Sequence, residues 1–194
     1  MEREVLITGI GGQGVQLAAT VIAHAAMAEG REVQVFGSYG GMMRGGNTDS
    51  ALVIADRPIV APPTVDQAWS AVLMHPAHAD GPLRALRADG FCMVNSTVFG
   101  DGWQRPDHPS IDVPATAVAH DLGNAVVASM VMVGAYAAVT GLVALPSLTR
   151  AVGDALPSYR RSLADLNTRA LHAGFEAVPG VLRPAWDETA DVAP

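Results

Sequence analysis

The sequence contains no lysine, and all 12 of its basic residues are arginine. Against 19 acidic residues they leave a formal net charge of -7. That balance excludes nucleic acid as the main partner, because neutralising a phosphate backbone needs a positive stripe. Cysteine is as scarce, with Cys92 alone. One thiol cannot form an internal disulfide, and it cannot by itself hold an iron–sulfur cluster, which takes about four ligands. A disulfide-built secreted module is therefore excluded, and a cytoplasmic location is expected. Charged residues amount to 16%, well under the usual quarter or so. The N-terminus opens with Glu2, Arg3 and Glu4 and lacks a long apolar core with a small-residue cleavage site, so no signal peptide is expected. His75, His78 and His108 stand near prolines at spacings that make no zinc set, and His24 falls within a helical pattern. Gly100-Asp101-Gly102 has the triplet of a thiamine diphosphate site, but no asparagine follows at the needed distance, so it reads as a turn.

What the chain has in abundance is small apolar surface. Hydrophobic residues make up 49%. From Leu122 to Thr149 no residue is charged, a length that would span a bilayer. Its Ala, Val and Gly content, and the polar Asn124, Ser129, Tyr136 and Thr140, argue for a helix buried on more than one face. Small residues at Ala125, Ala128, Ser129 and Gly134 allow a neighbour to approach closely.

Patterning predicts an α/β chain. Glu4 to Thr8 forms a strand, Gly9 to Gly14 a tight turn, Val15 to Glu29 a helix stopped by Gly30, and Glu32 to Phe36 a second strand. Further strands are expected at Ser50 to Ala55, Ala71 to Met74, Phe91 to Asn95 and Ile111 to Val113. A short helix is expected near Val65 to Trp69, and others over Ala79 to Ala88, Leu145 to Leu156 and Ser158 to Ala173. The expected fold is a single Rossmann-like domain over residues 1–178, an open, mostly parallel sheet with helices on both faces. Residues 179–194 are expected to be an arm or a disordered tail.

Two glycine loops carry the chemistry. Gly9, Gly11 and Gly14 make a G-x-G-x-x-G match between a strand and a helix, where glycine lets a phosphate approach the backbone and the helix N-terminus supplies free N–H groups. The second strand ends in Phe36, Gly37 and Ser38, without the acid that binds a nicotinamide ribose. The glycines could equally serve tight strand-to-helix packing. The second loop, Ser38 to Asn47, joins strands two and three, and adjacent strands would bring both loops to one crevice. Arg44 among its glycines suits a phosphate or carboxylate, and Met42 and Met43 suit an apolar partner.

These residues resemble a known family. GIGGQGV at Gly9 to Val15 and SYGGMMRGG at Ser38 to Gly46 are similar to the gamma subunit, or gamma domain, of the 2-oxoacid:ferredoxin oxidoreductases, which act on pyruvate, 2-oxoglutarate, 2-oxoisovalerate or indolepyruvate. The likeness continues through Val94-Asn95-Ser96, Gly123-Asn124, Met132 to Ala135, and Leu166-Asn167 to Gly174. Gly41 stands where the family usually has proline, and Met74-His75 where it often has Leu-Asn.

The resemblance implies an accessory subunit, inactive alone, of an enzyme that turns a 2-oxoacid and CoA into acyl-CoA, carbon dioxide and reduced ferredoxin. It implies that thiamine diphosphate, magnesium and 4Fe–4S clusters sit on alpha, beta and ferredoxin-like delta partners. CoA is the shared co-substrate. Carried over, Gly9, Gly11, Gly12, Gln13 and Gly14 are candidates for cradling CoA phosphates, and Ser38, Tyr39, Arg44, Gly45, Gly46 and Asn47 for lying toward the active-site interface. No catalytic residue and no metal ligand is expected on this chain. Two other readings remain: a stand-alone nicotinamide or flavin oxidoreductase, and a non-catalytic nucleotide- or CoA-binding regulator.

Overall fold

The computed structural model describes residues 1–39, 46–60, 64–156 and 158–186. Its sheet runs through β1 (Glu2–Ile10), β2 (Glu32–Tyr39), β3 (Asn47–Ala55), β4 (Ala68–Leu73), β5 (Leu86–Asn95) and β6 (Ser110–Val113) in the order β2-β3-β1-β4-β5-β6. β1, β4, β5 and β6 pair in parallel, whereas β3 is antiparallel to both β1 and β2. The Rossmann-like α/β expectation holds, with one correction. β1 and β2 run in the same direction but are not neighbours, because β3 returns between them and pairs with both. A glycine-rich loop short enough to reverse the chain permits that hairpin, and its ladder replaces a direct β1–β2 pairing. Residues 65–69 also depart from expectation. Ala68 and Trp69, expected at the end of a helix, begin β4, where every residue is buried.

The main helices share one face. α1 (Val15–Ala28) covers β1, β2 and β3. α5 (Ala128–Thr140) packs against α1 and β5, and α6 (Leu145–Ala155) and α7 (Ala164–Glu176) close over them. The other face has a thinner cover, from α2 (Asp80–Arg84), α3 (Ser96–Phe99) and Trp103, which meets Phe99 edge-on at 4.7 Å. The short α4 (Ala115–Asp121) leads into α5. Strand residues alternate between the layers: Val5, Ile7, Leu52 and Ile54 enter the α1 side, and Ala71, Leu73, Cys92 and Val94 the other.

The charge-free run is explained by α5, all 13 residues of which are buried. It is interrupted, since Gly123 and Gly141 take positive φ (94° and 59°) at turns that no L side chain adopts readily. Among the described residues no helix is long and apolar enough to cross a membrane. After α7 the chain crosses the end of α5. Leu182 and Arg183 N–H both donate to the Val139 carbonyl, Ala185 N–H to Thr140 at 2.7 Å, and Trp186 Nε1 to Leu142 at 3.0 Å. The expected arm therefore lies packed on the body as far as Trp186.

Candidate functional site

The first loop is built by its own side chains. Gln13 folds back, so that its Oε1 accepts the Ile10 N–H at 2.9 Å while its Nε2 donates to the Met74 carbonyl at 3.2 Å. Met74 N–H in turn donates to Thr8 O at 2.9 Å. Gln13 thus ties the end of β1 to the end of β4, filling the crevice over which a Rossmann dinucleotide lies. Gly9 is needed because a Cβ there would stand 2.7 Å from Gln13 Oε1. At Gly14, which has φ 79°, a Cβ would collide with the Ser129 hydroxyl on α5. Of the expected phosphate cradle, then, Gly9, Gln13 and Gly14 hold the turn and its packing. Gly12 differs: φ is 104° and, among the described residues, nothing lies within 4 Å of where its Cβ would be.

α1 begins without a side-chain cap and without an acidic residue in its first turn. The first bond closing onto it is Ala18 N–H to Gly14 O at 2.9 Å. The amides of Gly12, Gly14, Val15, Gln16 and Leu17 find no acceptor among the described residues. That is a row of free N–H groups carrying the positive end of a 14-residue helix.

The two glycine loops do meet, through β3 rather than through adjacent strands. Gly11 N–H donates to the Gly46 carbonyl at 2.9 Å, and Asn47 lies opposite Ile10 in the β1–β3 register. Ser38 and Tyr39 form the end of β2, opposite Asp49 and Thr48. Asp49 accepts from Thr8 Oγ1 at 2.6 Å and from Asn47 Nδ2 at 2.5 Å, so Asn47 is drawn away from α1. Arg44 and Gly45, with Met42 and Met43, lie outside the described residues.

Beside the first loop is a cavity of about 570 Å³, bounded by Gly12 and the start of α1, Thr48, the Asn124–Val127 turn, and Leu156, Leu163 and Asn167. Thr48 is 4% exposed, and its Oγ1 has no partner among the described residues. Sequence reasoning missed it. The available signal was parity: Thr48 and Ser50 share a face with Leu52 and Ile54, so polar residues continue an apolar row toward the loop. Asn124 Oδ1 caps the following turn by accepting Val126 N–H at 3.0 Å, and Asn167 Nδ2 donates to Leu163 O at 2.7 Å.

The donor set does not fit a metal cluster. Cys92 lies in β5 between β4 and β6, with its thiol pushed up to about 11 by burial. It is protonated at neutral pH, unlike a cluster-binding thiolate. No group of three or more His, Cys, Asp or Glu among the described residues could hold a metal ion.

Comparison with known proteins joins these features. Residues 4–177 match the family described as pyruvate ferredoxin/flavodoxin oxidoreductase. The chain is 28% identical over 179 residues to the 2-oxoglutarate synthase subunit KorC of Methanocaldococcus jannaschii, covering 91% of this chain and 94% of that one. It is 29% identical over 180 residues to the pyruvate/ketoisovalerate oxidoreductases common subunit gamma of Pyrococcus furiosus, covering 89% and 95%. The crystal structure of the keto/oxoacid ferredoxin oxidoreductase gamma subunit of Geobacter sulfurreducens superposes with a TM-score of 0.77 at 27% identity, over 91% of this chain and 96% of that one. With the match running from β1 to the end of α7, the chain belongs to the pyruvate ferredoxin/flavodoxin oxidoreductase family.

Proposed function

We propose that the chain is the accessory gamma subunit of a cytoplasmic 2-oxoacid:ferredoxin oxidoreductase. The assembled enzyme converts a 2-oxoacid and CoA to acyl-CoA and carbon dioxide, with two electrons leaving to ferredoxin. The observation that carries this reading is end-to-end alignment with relatives that are themselves named as single subunits. The chain's own chemistry is compatible: its one buried, protonated thiol supplies no cluster ligand, and the reading assigns thiamine diphosphate, magnesium and 4Fe–4S clusters to alpha, beta and delta partners. A relative named as common to pyruvate and ketoisovalerate oxidoreductases supports a gamma unit that does not select the 2-oxoacid.

Within the complex, the bare amides from Gly12 onward offer CoA its phosphate contacts, with Gly9, Gln13 and Gly14 setting the turn. Ser38, Tyr39, Arg44, Gly45, Gly46 and Asn47 face the partner subunits beside the CoA site. The filled crevice at Gln13 and the absence of an acid at the end of β2 disfavour a stand-alone nicotinamide enzyme. Tagged capture from the native cell tests the assignment. Co-elution of a thiamine-dependent alpha/beta pair is the expected result, and recovery of the bait alone contradicts it. In the assembled enzyme, Arg44→Ala should raise the apparent CoA requirement, and an unchanged CoA titration removes Arg44 from the site.

A further inference from the structure

We propose that the free edge of β2 is a pairing surface for a second copy of this chain, so that two sheets join edge to edge across a two-fold axis. The inference goes beyond the reading of the chain as an accessory subunit and is independent of what the glycine loops bind.

Among the described residues β2 is an end strand of the sheet, paired with β3 on one side only. Alternate N–H and C=O groups along its eight residues therefore point outward with no partner strand. Natural edges are guarded by shortness, proline, bulges or charge. The opposite edge has such guards. β6 has four residues, lies between Pro109 and Pro114, and carries Asp112, whose carboxylate is held by both terminal nitrogens of Arg105. β2 has none of them. It holds no proline, its register with β3 is unbroken from Glu32 to Tyr39, and no residue from Val33 to Tyr39 is charged.

The apolar layers also run out of cover at this strand. On the α1 face, Val35 lies opposite the buried Leu52 and is itself 43% exposed. Met27, 52% exposed, stands about three turns from Gln16 on the same flank of α1, and the Gln16 amide lies against Gly37. On the other face, Phe36 borders a cavity of about 350 Å³ with Leu6, Ala51 and Pro82. A strand that continues the sheet covers both faces at once, whereas a helix laid on one face covers only that one.

Charge and symmetry identify the occupant. Two chains of net charge -7 repel, and they meet closely only over a neutral surface, which Val33 to Tyr39 supplies. A partner recognised by charge finds nothing to pair with along that stretch. A two-fold axis through an antiparallel pair sets one residue opposite itself. With Val35 at the axis, the two half-exposed valines meet on the α1 face and Val33 of each copy faces Gly37 of the other. The two Glu32 carboxylates then stand about 20 Å apart, beyond the screening length of ~8–10 Å. With the β6 edge guarded, association stops at two.

Sedimentation equilibrium of the full chain tests the assignment. A monomer–dimer equilibrium is expected, and it should tighten as added salt screens the like charges. Val35→Arg sets two charges against each other at the axis and should weaken the dimer on the order of tenfold or more. Val60→Arg, at a position 90% exposed and outside the sheet, should leave it unchanged. Val35→Cys reads the register directly. Oxidation should link two copies through this position, and the buried Cys92 takes no part. Circular dichroism melts establish that each variant keeps the fold. A chain that stays monomeric at millimolar concentration, a dimer that loosens with added salt, a dimer as tight in Val35→Arg as in the parent, or a folded Val35→Cys that yields no linked dimer overturns the assignment. All of these are read on this chain alone, so they are independent of whether it assembles with thiamine-dependent subunits.

Discussion

Gln13 does the work that a ligand would do in a dinucleotide fold, by tying the turn after β1 to the end of β4. Replacing it with alanine removes two backbone contacts and leaves the Ile10 N–H and Met74 carbonyl to water. Each is worth about 1 kcal/mol, so Gln13→Ala should lower the unfolding free energy by about 2 kcal/mol in urea denaturation. Gln13→Glu keeps the acceptor for Ile10 but sets a carboxylate against the Met74 carbonyl, and should be no better than alanine. Cys92 sets a different test. Its folded thiol is raised from an ordinary value of 9.0 to about 11 by burial. A group raised on folding stabilises fully below its unfolded value and loses that contribution as pH climbs through the folded one. The protein should therefore lose stability between about pH 9 and pH 11, and Cys92→Ala should flatten the curve there. The thiol should react with a disulfide reagent at neutral pH only after unfolding.

At the scale of elements, α5 and α7 touch through paired glycines. A Cβ on Gly134 would collide with the Leu171 carbonyl, and one on Gly174 with the Val131 carbonyl. Both obstacles are backbone and cannot rotate aside, so Gly134→Ala should cost about 3 kcal/mol, read from denaturation midpoints. Gly153 supplies the opposite sign. It is exposed in α6 with nothing among the described residues within 4 Å of its Cβ position, and alanine there should stabilise by about 0.5–1 kcal/mol. Sequence made the elements legible where period and punctuation agreed. Val15 to Ala28, closed by Gly30, is such a case, and so is the buried helix inside the charge-free run. It failed where a choice depends on long-range pairing. Nothing local says that β3 inserts between β1 and β2, because the ladder is formed with partners about 40 residues away. Ala68 and Trp69 depart from expectation for the same reason, their partners being distant in sequence: Ala68 pairs with Leu86 of β5, and Trp69 meets Phe91 edge-on at 5.2 Å. The glycine loops were legible as a site, but not their division of labour: Gly9 and Gly14 serve Gln13 and Ser129, which no motif spells out.

For the whole molecule, the C-terminal arm binds both ends of the fold into one unit. Arg3 Nε donates to Ala185 O at 2.6 Å and its guanidinium stacks 4.7 Å from the Trp69 ring. Arg31 lies 3.9 Å from Trp186. These contacts draw the starts of β1 and β2 onto the end of α5, at the pole opposite the glycine loops. Trp186→Ala should therefore destabilise the chain by about 2–3 kcal/mol through lost ring burial and lost cation–π contact, seen as a lower Tm. Scarcity of charge fits a chain whose surface is completed by other subunits. The most direct measurement of that claim is a reconstitution of alpha and beta subunits with and without this chain, following CoA-dependent oxidation of a 2-oxoacid by ferredoxin reduction. The account predicts no turnover by the chain alone and full CoA-dependent turnover only when it joins its partners. Turnover by the chain alone with a nicotinamide or flavin, or undiminished turnover by alpha and beta without it, would contradict the account.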